Sequence, residues 1–391
     1  MNTALLLTYS LLPGLVKITG FQPVFVLNIP ILIVLFFVNQ KKLQWRTIDN
    51  YTLFFLVYGI FISFISLIFL PSQPLTLFMG IYMYLIPVTG YFFAYLIDFD
   101  ELIKSLKVIA LVHVGFALLI FPLMPFYGAI SGFAAKFRTG VFGERMCSVS
   151  GSLGFASLML ICFTAFFFTG KTVKDIIILV LSALGLIFAQ QRGAWVGGIA
   201  VVLLNFVEKI KTGHFKVKQA TLTRGFIIMV FGIVLLVSGV FKVETLTERY
   251  TDQFGEQAID ERQGQWEAGI KNFINFPLGT GVGQVGQVAR VGGWSAFQVC
   301  ADGDYPRIFS ETGIPGLLYY LFLFIIAGLL FLRSKLDNKV VKTGLFVFIG
   351  ISAQMIGSNV TEFYFANFLY WMFIGYMVSN IRTENSKMYI S

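Results

Sequence analysis

The sequence predicts an all-α polytopic membrane protein, and three observations predict it. Hydrophobic residues make up 57% of the 391-residue chain and charged residues only 13%, against about 25% charged in soluble domains. The apolar residues come in repeated runs of about 18–23, long enough for spanning helices, whereas barrel strands need only about 9–11 and alternate in polarity. Lysine and arginine are dense in every second loop between the runs, the pattern of a helical bundle with defined sidedness.

About twelve transmembrane helices are expected in order, over roughly 3–18, 22–38, 51–70, 75–96, 104–124, 149–169, 173–190, 192–209, 224–242, 313–332, 341–358 and 362–380. The first run reads as a span and not a cleavable signal, since it lacks a basic leading region and a small-x-small site. Residues 1–391 form one integral membrane domain with no internal repeat. Of the 29 basic residues, 18 fall on one set of alternate loops and 11 on the other. The denser set, with Lys41, Lys42, Lys104, Lys107, Lys171, Lys174, Lys209 and Lys211, is expected in the cytoplasm. Both termini are then cytoplasmic. The net charge of +9 thus reports topology and does not point to nucleic acid.

The stretch QQRGAWVGG, residues 190–198, interrupts some thirty apolar residues with an arginine. An arginine at mid-membrane costs roughly 2.5–3.5 kcal/mol on insertion scales. Lysines flank the stretch at 171 and 174 and at 209 and 211, so it crosses twice. Each arm is about twenty residues, or roughly 30 Å of helix. Arg192 is therefore the outer tip of a helical hairpin; the plain alternative is that it snorkels to headgroups.

Two outer loops are long enough to hold chemistry, a smaller one at 125–148 and a large one at 243–312. The large loop carries ten of the chain's twenty acids. Within it, Trp266, Ile270, Phe273 and Ile274 recur at helical spacing. Pro277 and Gly279 end that helix, and Arg262 lies one turn before Trp266. The helix is expected to lie at the membrane surface with its aromatic face on lipid or the bundle. PLGTGVGQVGQV follows, with Gly281, Gly283 and Gly286 in a literal GxGxxG. Without a strand and a βαβ unit this is no dinucleotide site; it fits a turn whose backbone approaches a ligand or another helix. Asp302 and Asp304 then form a DxD pair, as candidate carboxylate bases or as ordinary turn residues about Gly303. The three cysteines and two histidines have no metal-ligand spacing, so neither metal nor cofactor is expected. Cys147 and Cys300 both fall on the outer side, which leaves a disulfide between them as a pairing to test.

In this order the motifs resemble the O-antigen polymerase and O-antigen ligase superfamily (Wzy-type polymerases, WaaL-type ligases). They are RGAW at 192–195, the R-x-x-x-W of Arg262 and Trp266, PLGTGVG, and E-x-G at Glu311 and Gly313. RTGVFGER before the sixth span is a weaker likeness. The resemblance covers about 190–320 and implies a GT-C-like glycosyltransferase architecture in the bacterial inner membrane. Ligases of the superfamily carry a histidine nine residues before the glutamate; here that position is Asp302, as is common in polymerases.

The resemblance implies polymerisation of surface polysaccharide by glycosyl transfer from an undecaprenyl-diphosphate-linked oligosaccharide, with membrane lipid as surroundings and a chain-length regulator as a candidate partner protein. Arginine suits a diphosphate leaving group, because its fork binds phosphate oxygens bidentately and stays charged. Arg192 and Arg262 are the expected clamp, with Arg138, Arg145, Arg290 and Arg307 as further diphosphate or glycan contacts or plain solvated charges. Asp302, then Asp304, then Glu311 are the candidate bases; Glu311 before Gly313 and Pro315 equally fits a helix start. Trp195, Trp266, Trp294 and Tyr305 are candidates for a glycan or lipid cleft, though tryptophan is common at interfaces without any ligand. The competing readings are a ligase acting on lipid A core, a lipid-glycan or small-solute transporter, and a structural anchor. Spans nearly free of charge argue against the transporter, and clustered loop arginines against the anchor.

Overall fold

The computed structural model describes residues 1–20, 26–39, 45–122, 124, 126–137, 145–211, 256–292, 297–300, 303–332, 336 and 338–380, excluding the side chains of 256–262, 291 and 292. Among these residues the regular structure is all helical: α1 (Asn2–Thr19), α2 (Asn28–Val38), α3 (Thr47–Phe69), α4 (Pro74–Leu96), α5 (Phe99–Leu119), α6 (Tyr127–Ala135), α7 (Gly151–Thr169), α8 (Val173–Phe188), α9 (Arg192–Lys211), α10 (Glu256–Asn275), α11 (Gln287–Gly292), α12 (Asp304–Leu332), α13 (Lys339–Met355), a 3-10 turn (Val360–Glu362) and α14 (Tyr364–Ser379). Six of them, α3, α4, α5, α7, α9 and α12, are long and apolar enough to cross a membrane. Their outward faces are apolar: Phe54 and Phe61 on α3, Ile199 and Leu203 on α9, Leu318 and Ile325 on α12 are all exposed. Such a belt is unfavourable in water and favourable in lipid.

The hairpin expected at 190–192 is present. Residues 189–191 separate α8 from α9, with Gln190 at φ 50°, and Trp195 Nε1 donates across the turn to Leu186 O at 2.7 Å. Several expected boundaries move by a few residues, among them the start of α3, at Thr47 rather than 51, and the end of α5, at Leu119 rather than 124. The fifth helix begins at Phe99 rather than 104, because Asp100 and Glu101 sit in its first turn, where the helix dipole favours acids. The helix expected from 313 begins at Asp304 and carries a break at Gly313 (φ 62°, ψ −155°). The span expected at 224–242 lies outside the described residues.

Charged groups gather at the two ends of the bundle. At one end Lys107 pairs with Asp175, Lys342 with Glu208, and Asp49 accepts from Tyr91 and Tyr95 at 2.7 Å each. Asp175 also caps α8 by accepting from Thr172 N at 2.9 Å. This is the end that the sequence assigns the dense lysines. Arg192, Asp304 and Glu362 lie at the other end. Between the ends runs an aromatic core in which Trp371 contacts Phe55, Tyr319, Tyr320 and Tyr370. Small residues let backbones close up, as in other membrane bundles: Gly197 of α9 meets Gly350 of α13, and Gly90 of α4 meets Phe368 of α14.

The Cys147–Cys300 pairing is not formed. Both residues are buried and neither is in a disulfide. Cys147 packs in a small cluster with Phe137 and Val149, whereas Cys300 lies against Gly269 of α10. The two belong to separate packing units.

Candidate active site

The break in α12 organises the site. At Gly313 the helix loses its own hydrogen bonds, and the segment Pro277–Gly281 replaces them. Thr280 N donates to Ser310 O at 2.9 Å, Gly281 N to Glu311 O at 3.1 Å, and Ile314 N to Pro277 O at 2.8 Å. The PLGTGVG turn and the E-x-G motif are therefore partners. The turn reaches this position because Gly279, Gly281 and Gly283 all have φ between 90° and 103°, a region glycine occupies without penalty. A Cβ on Gly281 would lie 2.8 Å from Ser66 Cβ. The glycines thus bring backbone against α3 and α4, the helix-approach alternative offered by the sequence.

The first segment of α12 presents Asp304, Arg307 and Glu311 on one face at i, i+3 and i+7. Arg307 is 1% exposed. Its Nη2 donates to Asp304 Oδ1 at 2.9 Å and to Thr361 Oγ1, and its Nη1 to Glu311 Oε2 at 2.7 Å. The guanidinium stacks on Tyr84, 3.8 Å from the ring centroid. Asp304 also accepts from Thr361 N at 3.0 Å and from the Thr361 hydroxyl. Glu311 Oε1 accepts from Val285 N at 3.4 Å.

A third carboxylate, Glu362, completes the cluster. It is half-buried and accepts from Gln287 N at 3.2 Å and Tyr84 Oη at 3.4 Å. Burial pushes its pKa up to about 8, with Asp304 and Glu311 adding to the rise and Arg307 opposing it. Glu362 also lines a cavity of about 190 Å³ bounded by α1, α4, α5, α7 and α14.

The sequence motifs converge here from distant parts of the chain. Gly193 of RGAW packs on Gln354 and Ser358, just before Thr361 and Glu362. Trp266 Nε1 lies against Gly303, which also neighbours the Ile356 carbonyl and Pro306. Gly269 packs on Pro306, and Ser310 Oγ donates to Gly269 O at 2.7 Å. The buried face of α10 thus runs through Trp266, Gly269, Asn272 and Phe273, while Ile270 and Ile274 point outward and are exposed. The expected stripe is split between bundle and surroundings.

The other expected residues are placed as follows. Arg192 opens α9 and is half-buried, as is Arg145. Arg290 is exposed on α11. Arg307, expected as a diphosphate or glycan contact, is enclosed by Asp304, Glu311 and Thr361. Trp195 has its N–H committed to the hairpin, and Tyr305 donates to Ser352 O at 2.9 Å within the aromatic core. Glu311 does not start a helix; it ends the first segment of one. Arg138, Trp294, Asp302 and the Arg262 side chain lie outside the described residues. Tyr84, Thr361 and Glu362 were not anticipated. Glu362 carried a signal, being the one acid between Asp337 and Glu384, and ionisable groups near apolar spans are functional candidates.

No curated protein matches the chain. Residues 177–321 match the family model described as O-antigen ligase (Wzy_C), a stretch that runs from α8 through Arg192, α10 and the glycine turn into α12. Members of this group are glycosyltransferase-like membrane enzymes acting on lipid-linked glycans. Over residues 177–321 the chain is therefore similar to the O-antigen ligase family, a likeness that spans well under half of its length.

Proposed function

We propose that the protein polymerises surface polysaccharide, transferring glycan from an undecaprenyl diphosphate carrier to the non-reducing-end hydroxyl of another lipid-linked repeat unit. The observation that carries this reading is the meeting of RGAW, the Trp266 helix, the glycine turn and E-x-G at one end of the bundle. We place that end at the outer face of the inner membrane, with twelve spans in a GT-C-like arrangement and both termini in the cytoplasm.

In this reading the acceptor oxygen attacks the anomeric carbon, the bond from that carbon to the phosphate oxygen breaks, and the diphosphate leaves with the electron pair. Arg192, at the amino end of α9 where the helix dipole also favours anions, and Arg262 on α10 hold the diphosphate. Fixed positive charge aimed at developing negative charge lowers such a barrier by about 3–4 kcal/mol per donor in other enzymes. The acceptor's proton goes to a carboxylate. Asp304 and Glu311 are already engaged by Arg307, so they hold the shape of the site; Asp302 is the remaining sequence candidate.

The family model's description favours a second reading, ligation of finished glycan to lipid A core. Against it, residues 243–312 contain no histidine. A gel profile of surface glycan from a strain lacking the gene separates the two. Polymerase function predicts loss of the long ladder with single repeat units remaining, restored by the wild-type chain. Full-length polymer stranded on the carrier would establish ligase function, and an unchanged ladder would refute both.

A further inference from the structure

Three carboxylates converge on one guanidinium, and only two of them are paired with it. Asp304 and Glu311 contact Arg307 at 2.9 and 2.7 Å. Glu362 makes no ion pair among the described residues; its contacts are one backbone N–H and the Tyr84 hydroxyl. With Asp304, Arg307 and Glu311 ionised, that trio already carries one net negative charge, so a further charge on Glu362 is opposed. Glu362 is also the cluster's one carboxylate that lines the larger cavity. That space, about 190 Å³, is bounded by Pro13, Met83 and Phe363.

We infer that Glu362 takes the proton of the acceptor hydroxyl, from a sugar seated at the mouth of this cavity. The inference rests on the glycosyl-transfer reading above. As the new bond to the anomeric carbon forms, the hydroxyl proton passes to the Glu362 carboxylate; the electron pair of the broken bond leaves on the diphosphate; the proton is afterwards released to water. A base is effective when its pKa lies near the working pH, and the Glu362 carboxyl, at about 8, meets that condition. Facing it are Arg307, Asp304 and Glu311 from α12, Tyr84 from α4 and Tyr364 from α14, with Lys17 of α1 and His113 of α5 across the cavity.

The test is initial rate against pH for the full chain in proteoliposomes. The probe is the undecaprenyl-diphosphate-linked repeat unit extracted from a strain lacking the gene. Wild type should gain activity as pH rises, with a midpoint near 8. Glu362→Gln should lose about 100-fold or more in kcat with donor KM within about twofold, and the midpoint should vanish. Glu362→Asp should keep part of the rate with a displaced midpoint. If Glu362→Gln does not fold, the aspartate variant decides, and an unmoved midpoint there overturns the inference. So does a folded Glu362→Gln protein with wild-type rate and pH profile, or a midpoint that vanishes in Asp302→Asn instead. Failure of wild type to transfer glycan at all would instead overturn the functional reading itself, and this inference with it.

Discussion

The guanidinium of Arg307 lies 3.8 Å from the centroid of the Tyr84 ring, which ties the first turns of α12 to a five-residue π turn, Ile81–Leu85, inside α4. Single π turns within helices are frequent at functional sites. Here the turn brings Tyr84 to a position where its face meets Arg307 and its hydroxyl meets Glu362. One aromatic side chain thus touches both the paired and the unpaired part of the charge cluster.

Arg307→Ala is expected to cost about 3–5 kcal/mol, because it leaves Asp304 and Glu311 buried without their counter-ion. Arg307→Lys recovers only part of this, since an ammonium lacks the planar fork that contacts both acids and stacks on Tyr84. Unfolding midpoints of the purified variants in detergent check both. An alanine variant as stable as wild type would show that the ion pairs contribute nothing.

Two glycines should respond in opposite directions. Gly281→Ala is destabilising by about 1–2 kcal/mol from its positive φ alone, with a further cost from contact against Ser66. Gly264→Ala, in the interior of α10 with nothing within 4 Å of the added methyl, should stabilise by roughly 0.5–1 kcal/mol. Denaturation of the two variants side by side makes the comparison.

Stability should fall with rising pH across the window set by Glu362. Its folded-state pKa, about 8, lies above the ordinary 4.5, so the folded state binds that proton more tightly than the unfolded chain. The contribution is complete below about pH 4.5 and is lost as pH rises through about 8. Unfolding midpoints from pH 5 to 9 should show this decline in wild type and lack it in Glu362→Gln. Identical slopes in the two proteins would count against the assignment.

All three cysteines should react with a maleimide after denaturation without reductant, because each is buried and none is in a disulfide. Labelling of one cysteine only, rising to three after reduction, would restore the Cys147–Cys300 bridge.

Arg192→Ala should insert at the wild-type level and abolish activity. Normal polymer from that variant, present at normal amount, would remove Arg192 from the diphosphate clamp.

Much of the fold was legible because lipid imposes simple rules. Apolar run length located the helices, and lysine placement separated the two ends that the ion pairs Lys107–Asp175 and Lys342–Glu208 now mark. The hairpin at Gln190 followed from the same charges. The site was legible in its motifs but less so in its pairings. No periodicity reveals that Thr280 and Ser310 share a hydrogen bond, since that contact arises where a glycine breaks a helix and a distant turn fills the gap. Arg307 read as one arginine among several, because its burial depends on Tyr84 and Thr361, both more than fifty residues away in sequence. By its apolar neighbours Glu362 begins the span expected at 362–380; its contacts with Gln287 and Tyr84 join it to the charge cluster instead.

The most direct test of the central claim is glycan transfer by the purified chain in proteoliposomes supplied with single repeat units on undecaprenyl diphosphate and with lipid A core. Lipid-linked products lengthened one repeat at a time, and none on the core, are the expected result. Glycan on lipid A core, with no product longer than one repeat on the carrier, would contradict it.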